Sequence, residues 1–189
     1  MNISAPAISS GFCADLPTEI ARRLDAMFPH RDADIALHEP RFNTQAEKLV
    51  LECLRSTYVS SVGEYVRQFE AKLAAACGVK YAVAMVNGTA ALEVALRVVV
   101  VEPGSEVLLP SLTFVATANA VSHLNAVPHF VDVEDRSLGI DSHALERHLK
   151  KIGRQTSEGF FNKETGRRIS AIVPVHVFGH PVAMDDLNG

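Results

Sequence analysis

Residues 81–100, YAVAMVNGTAALEVALRVVV, carry the reading from which the fold follows. The run Tyr81–Val86 is apolar almost throughout, the pattern of a strand covered on both faces in a parallel sheet. Asn87-Gly88 then supplies turn chemistry, and Thr89–Val100 places Ala, Leu and Val at helical spacing with Thr89 as the cap. Strand, sharp turn and helix in succession form the first half of a β–α–β unit. The alternation continues with a strand over Glu106–Pro110, a helix over Phe114–Leu124 and a strand over Val127–Val131. A helix over Asp141–Ile152 capped by Asp141 comes next, then a polar excursion over Gly153–Arg168 and a strand over Ile169–His176. Strands alternating with helices predict an α/β fold, a mostly parallel sheet with helices on both faces. The near-continuous apolar runs AVAMV and HFVDV are expected in the middle of that sheet.

Upstream, the spacing predicts helices over Thr18–Phe28, with Thr18 as cap, and over Asn43–Thr57. A polar loop, Ser60-Ser61-Val62-Gly63, precedes a third helix, Glu64–Cys77, which Gly78 closes. Residues 1–37 read as an N-terminal extension and residues 38–189 as one domain.

Composition narrows the function classes. Hydrophobic residues make up 48% of the 189 and charged residues 21%, enough apolar content to fold around a core. The net charge of −4 offers no overall basic field for nucleic acid or an acidic membrane, so neither is an expected partner. Cys13, Cys53 and Cys77 are odd in number and lack ligand spacing, which argues against a disulfide framework and a zinc site; Cys53 and Cys77 are expected as small buried apolar residues. Met1–Cys13 has no basic leader pattern and no run reaches the ~20 apolar residues of a membrane span, so the cytoplasm is the default location.

Three stretches could carry chemistry, each following a strand. Gly88, Thr89 and Ala90 open a helix after a turn, where backbone N–H groups and the helix dipole make a place for a phosphate. Taken alone, the same residues could be an ordinary capped turn, and they are neither GxGxxG nor a GK[ST] loop. Phe114, in PSLTF at the end of the next strand, either stacks on a flat ring or packs into the core. His176, in VPVHVFGHP, stands at a third strand end, where a lone histidine is more often structural. A Rossmann-type reductase would share this rhythm but would need the absent GxGxxG.

The succession VSSVGEYVRQFE, VNGTAALEVAL, PGSEVLLPSLTFVATANAV, AVPHFVDVE, LGIDSHALE and TGRRISAIVPVHVFGHPVAMD resembles the DegT/DnrJ/StrS family of sugar aminotransferases from about His38 to Asp186. TGRR and HVFGHP resemble most the branch that aminates UDP-4-keto-6-deoxy-N-acetylhexosamines on the way to legionaminic-type sugars. The resemblance implies part of the large domain of a fold-type I transferase that works as a homodimer, uses pyridoxal 5′-phosphate (PLP), and takes an amino-acid donor, glutamate, and a nucleotide-sugar acceptor. It implies that Gly88, Thr89 and Ala90 hold the cofactor phosphate and that Phe114 stacks on its ring. His176 lies at a cofactor-side motif position, and Ser60, Ser61, Val62 and Gly63 lie along the sugar nucleotide. Asp132 occupies another motif position without an assigned step. Ser105 and Ala183 depart from the family's usual acids. The family's ring-nitrogen acid and its Ser-x-x-x-Lys strand end come after the point equivalent to Gly189, so no catalytic residue is expected among those present. On this reading the chain is an amino-terminal fragment, inactive alone; the alternative is a non-catalytic product or an interaction partner of a full-length homologue.

Overall fold

The computed structural model describes residues 15–28 and 40–188. The opening residues with Cys13, and residues 29–39, lie outside the described ones. The rest cluster into two units that divide between Gly63 and Glu64.

In the first unit, α1 (Leu16–Met27) begins two residues before the expected Thr18. Pro17 sits in its first turn, where no intrahelical N–H is lost, so Thr18 falls inside the helix instead of capping it. The second helix, α2 (Thr44–Ser56), is capped by Asn43, whose Oδ1 accepts the Ala46 N–H at 2.9 Å. Neither helix has a buried residue. Cys53 is half-buried and, in the second unit, Cys77 is exposed, which corrects the expectation that both are core.

The second unit opens with α3 (Glu64–Cys77), which ends on Gly78 at φ +65°, with the Val79 N–H returned to the Ala74 carbonyl at 3.0 Å. There follow α4 (Gly88–Val98), β1 (Glu106–Pro110), α5 (Val115–His123), β2 (Val127–Val131) and α6 (Ser142–Ile152). The chain continues through β3 (Gly153–Thr156), β4 (Gly159–Asn162), β5 (Ile169–Ile172) and α7 (Met184–Asn188). Strand β1 lies between β2 and β5 and is parallel to both. All five of its residues are buried. Because side chains alternate across a strand, Val107 and Leu109 pack with Leu96 of α4 and Ala120, Val121 and Leu124 on the α5 side, while Leu108 turns the other way to Val131, Ile140 and Leu145 of α6. Helices therefore cover both faces, as the rhythm predicts.

Three expectations need correction. Residues 81–86 pair with no strand among the described residues; the Ala84 N–H is taken by the Glu70 carboxylate of α3 at 2.9 Å, and Tyr81, Val83 and Val86 are exposed. An apolar run states that a strand wants cover, not which strand supplies its ladder. The run HFVDV lies at an edge of the three-stranded sheet, with β1 in the middle. The polar excursion is ordered: β3 and β4 form an antiparallel hairpin, and Phe161 bridges on to Arg168.

That hairpin is fastened by a buried carboxylate. Glu106 opens β1 at 2% exposure and accepts from Thr165 Oγ1 at 2.6 Å, from Asn162 Nδ2 at 3.0 Å and from His129 Nδ1 of β2 at 2.8 Å. His129 Nε2 in turn lies 2.9 Å from His148 Nε2 of α6, one ring donating to the other. Burial pushes the Glu106 carboxyl up, but the hydrogen bonds from Asn162, Thr165 and His129 outweigh it and hold it below the usual carboxylate value.

A Glu whose folded pKa is depressed adds stability above its unfolded value of about 4.3 and loses it as pH falls through the folded value. We expect urea midpoints to drop below about pH 4.5, and Glu106→Gln to show a smaller drop than the unsubstituted chain. Glu106→Ala, which strands three donors, should cost about 3 kcal/mol at neutral pH. Equal acid sensitivity with and without Glu106 would show that the network contributes nothing.

Candidate cofactor edge

The start of α4 is built by Asn87. Its backbone is extended (φ −161°, ψ 171°), its carbonyl accepts the Ala91 N–H at 3.1 Å and its Oδ1 accepts the Ala90 N–H at 2.9 Å. Asn87, not Thr89, is thus the cap, and the Ala90 N–H is spent inside the helix. The Gly88 and Thr89 N–H groups have no protein acceptor among the described residues. They stand where the helix dipole favours an anion. No heavy atom lies within 4 Å of the position a Cβ would occupy on Gly88, so the backbone there is open to a ligand.

Helix α4 leaves through residues 99–105 into the amino end of β1, with Leu92 and Leu96 packed against the strand's cluster. Its own amino end therefore lies at the carboxyl end of β1. Phe114 starts α5 from that same end, past the Ser111 N–H held by the Val131 carbonyl at 3.0 Å and before a Thr113–Thr117 hydroxyl pair at 2.8 Å. The Phe114 side chain is 76% exposed, which removes the core-packing alternative. His176 follows β5, whose carboxyl end is adjacent because β5 is parallel to β1. The structure therefore brings Gly88, Thr89, Phe114 and His176 to one edge of the sheet, where ligands of open α/β sheets bind.

His176 does more there than stand exposed. Its Nδ1 accepts the Val182 backbone N–H at 3.1 Å, which places the ring proton of the neutral imidazole on Nε2. The enclosed turn, Val177–Gly179, buries Val177 and Val182 and holds Phe178 at φ +52° with 83% of its surface exposed. Asp132 is exposed past β2, its carbonyl accepting the Asp141 N–H. Ser60–Gly63 forms a turn closed by the Gly63 N–H on the Ser60 carbonyl at 3.3 Å; Ser60, Ser61 and Val62 are exposed and Gly63 is buried, and the turn belongs to the first unit.

The sequence reading missed a cleft of ≈ 480 Å³ at the start of α6, lined by Glu134, Arg136, His143, His180 and Asp186 among others. The Ser137 hydroxyl, with the Ser137 and Arg136 N–H groups, holds the Glu134 carboxyl below the usual carboxylate range. Its walls come from two loops more than thirty residues apart, a separation that no local motif announces. Of the lysines, Lys150 and Lys151 end α6 and Lys163 follows β4, all at the opposite end of the sheet, while Lys72 lies on α3 and Lys80 rests 5.0 Å from the Tyr81 ring. Lys150, Lys151 and Lys163 are therefore away from the edge that carries Gly88 and Phe114, and Lys48 belongs to α2 of the first unit.

Long-range proton–nitrogen spectra should show His176 as the Nε2–H tautomer with Nδ1 an acceptor, and His176→Phe should cost about 1–2 kcal/mol by orphaning the N–H of buried Val182. An Nδ1–H signal for this residue would contradict the arrangement.

The comparisons with known proteins agree on one family. Residues 40–189 match the DegT/DnrJ/EryC1/StrS aminotransferase family. The chain is 37% identical over 153 residues to GDP-perosamine synthase of Caulobacter vibrioides, covering 81% of this chain and 37% of the relative. It is also 37% identical over 123 residues to UDP-N-acetyl-3-dehydro-alpha-D-glucosamine 3-aminotransferase of Acidithiobacillus ferrooxidans, covering 65% and 29%. Among solved structures, an aminotransferase from Psychrobacter cryohalolentis superposes with a TM-score of 0.65 at 31% identity over 79% of this chain and 34% of that one. Spr1654 of Streptococcus pneumoniae, solved in a PLP form, gives 0.63 at 25% identity over 82% and 36%. The chain thus spans about a third of the length of the relatives it matches. On the length of the family match and these identities, the chain belongs to the DegT/DnrJ/EryC1/StrS aminotransferase family, whose members use PLP.

Proposed function

We propose that this chain carries the phosphate turn and ring-stacking side of a PLP-dependent aminotransferase that moves an amino group from glutamate to the keto carbon of a nucleotide-linked sugar, in cell-surface polysaccharide or nonulosonic acid biosynthesis. The observation that carries it is the pair of free N–H groups on Gly88 and Thr89 sharing one sheet edge with exposed Phe114. An open helix start suits a phosphate, and an exposed aromatic suits a flat heterocycle. PLP, when bound, supplies the electron sink and the temporary carrier of the amino group. Gly88 and Thr89 hold its phosphate, Phe114 covers one face of its ring, and the His176 Nε2–H is a donor on the same edge. On this reading the lysine that such chemistry needs as anchor and proton carrier is none of the six present, and activity needs a further one. The Ser60–Gly63 turn serves the sugar nucleotide, and a homodimer completes the site. Two of the relatives above are named for GDP- and UDP-linked sugars; TGRR and HVFGHP favour a UDP-4-keto-6-deoxy-N-acetylhexosamine for this chain. The exposed Tyr81, Val83 and Val86 favour, as second reading, a non-catalytic partner of a longer homologue.

Residues 1–189 incubated with PLP and reduced with borohydride should show only scattered labelling of exposed lysines; stoichiometric labelling of one lysine would place the anchor inside this chain. Fused to the remaining carboxyl-terminal portion of the Caulobacter relative, the chain should pass labelled nitrogen from glutamate to a nucleotide-linked keto sugar. Within that fusion, Gly88→Asp should weaken PLP binding by about 1.5–3 kcal/mol, because the added carboxylate repels the phosphate and competes for the N–H groups that would hold it. A fusion that binds PLP and aminates no such sugar would sink the substrate assignment alone.

A further inference from the structure

The net charge conceals a strong segregation. Residues 147–168 hold seven Lys and Arg against two Asp and Glu, a local charge of +5 that leaves −9 on the remainder of the chain. The seven cations are all exposed, and Lys151, Arg154, Lys163, Arg167 and Arg168 form no ion pair among the described residues. They are also held in place. Arg154, Phe161 and Arg168 are register partners across β3, β4 and the strand that follows, so they share one face of the ribbon. The opposite face carries Asn162, buried against Glu106, and so points to the body. Glu106 also fixes Thr165, and its N–H donates to the Arg168 carbonyl at 2.7 Å. The result is a rigid cationic ribbon at the amino ends of β1 and β5, away from the edge that carries Gly88 and Phe114.

Like charges held together without partners repel, which an external anion relieves. The chemistry of the patch selects among anions. No large apolar residue between 131 and 171 is exposed, so the patch lacks the aromatic or aliphatic anchors of a protein interface. Phe160 and Phe161 are only half-exposed, which withholds the stacking platform that single-stranded nucleic acid uses. The cleft described above lies at the other end of the sheet, away from these cations. A planar array of headgroups needs only exposed charges held together, which the hairpin presents.

We infer that the β3–β4 hairpin docks the protein on an anionic phospholipid surface through Lys151, Arg154, Lys163, Arg167 and Arg168. Flotation with vesicles separates bound protein from aggregates, which sink. The chain should float with vesicles of equal parts phosphatidylglycerol and phosphatidylcholine, stay down with phosphatidylcholine alone, and be released at ~1 M salt, where the Debye length is ~3 Å. Arg154→Gln with Arg168→Gln should lower the partition coefficient about fivefold per charge, whereas Glu158→Gln with Glu164→Gln should raise it. Equal flotation with neutral vesicles, salt-insensitive binding, or unchanged binding of the arginine variant with its far-ultraviolet spectrum intact would overturn the inference. So would tighter binding to a DNA or RNA oligonucleotide than to the anionic vesicles at the same salt.

Discussion

Glu106 joins elements that the chain order keeps far apart. A carboxylate taken out of water at the head of the central strand must find donors, and it finds them on β2, on the end of β4 and in the turn beyond it; His129 extends the chain of hydrogen bonds to α6. The cost of leaving any of these groups unpaired fixes the register of β1 against its neighbours and the seat of the hairpin at once. The hydrophobic clusters on the two faces of β1 supply the bulk of the burial, but they would tolerate small slips that the polar network does not.

The two ends of the sheet consequently do different work. At the amino ends, the buried Glu106 and Asn162 side chains and the His129 ring are paired with one another, while the cations of the hairpin stand exposed outside them. At the carboxyl ends, backbone N–H groups of Gly88 and Thr89 are left open, Phe114 is uncovered, and His176 is positioned by a backbone donor rather than by packing of its ring. A parallel sheet produces this division by itself, because each following helix must begin where its strand has ended, with its unpaired N–H groups pointing outward.

Much of this was legible beforehand. The bounds of β1 and β2 follow from composition and turn residues alone, and Asp141 was readable as a cap since a short acceptor before a helical run has one cheap use. The phosphate turn was legible as a place but not in detail: with Asn87 and Thr89 both able to cap, only the geometry shows that Asn87 does and that it consumes the Ala90 N–H. The hairpin was hidden by its polarity, since a ribbon whose outward face carries arginines lacks the apolar alternation by which strands are found.

The sequence by itself determined the α/β class, the order of strands and helices through the second unit, and the family, because these depend on local periodicity and on motifs read in order along the chain. Tertiary structure alone decided that residues 81–86 stay out of the ladder, that Phe114 is exposed, and that Glu106 is a buried hub and not a surface acid beside Ser105. Each of those outcomes turns on which distant group arrives opposite a given residue. Local propensity is blind to that, since the energy of an apolar run, a ring or a carboxylate is set by what covers it.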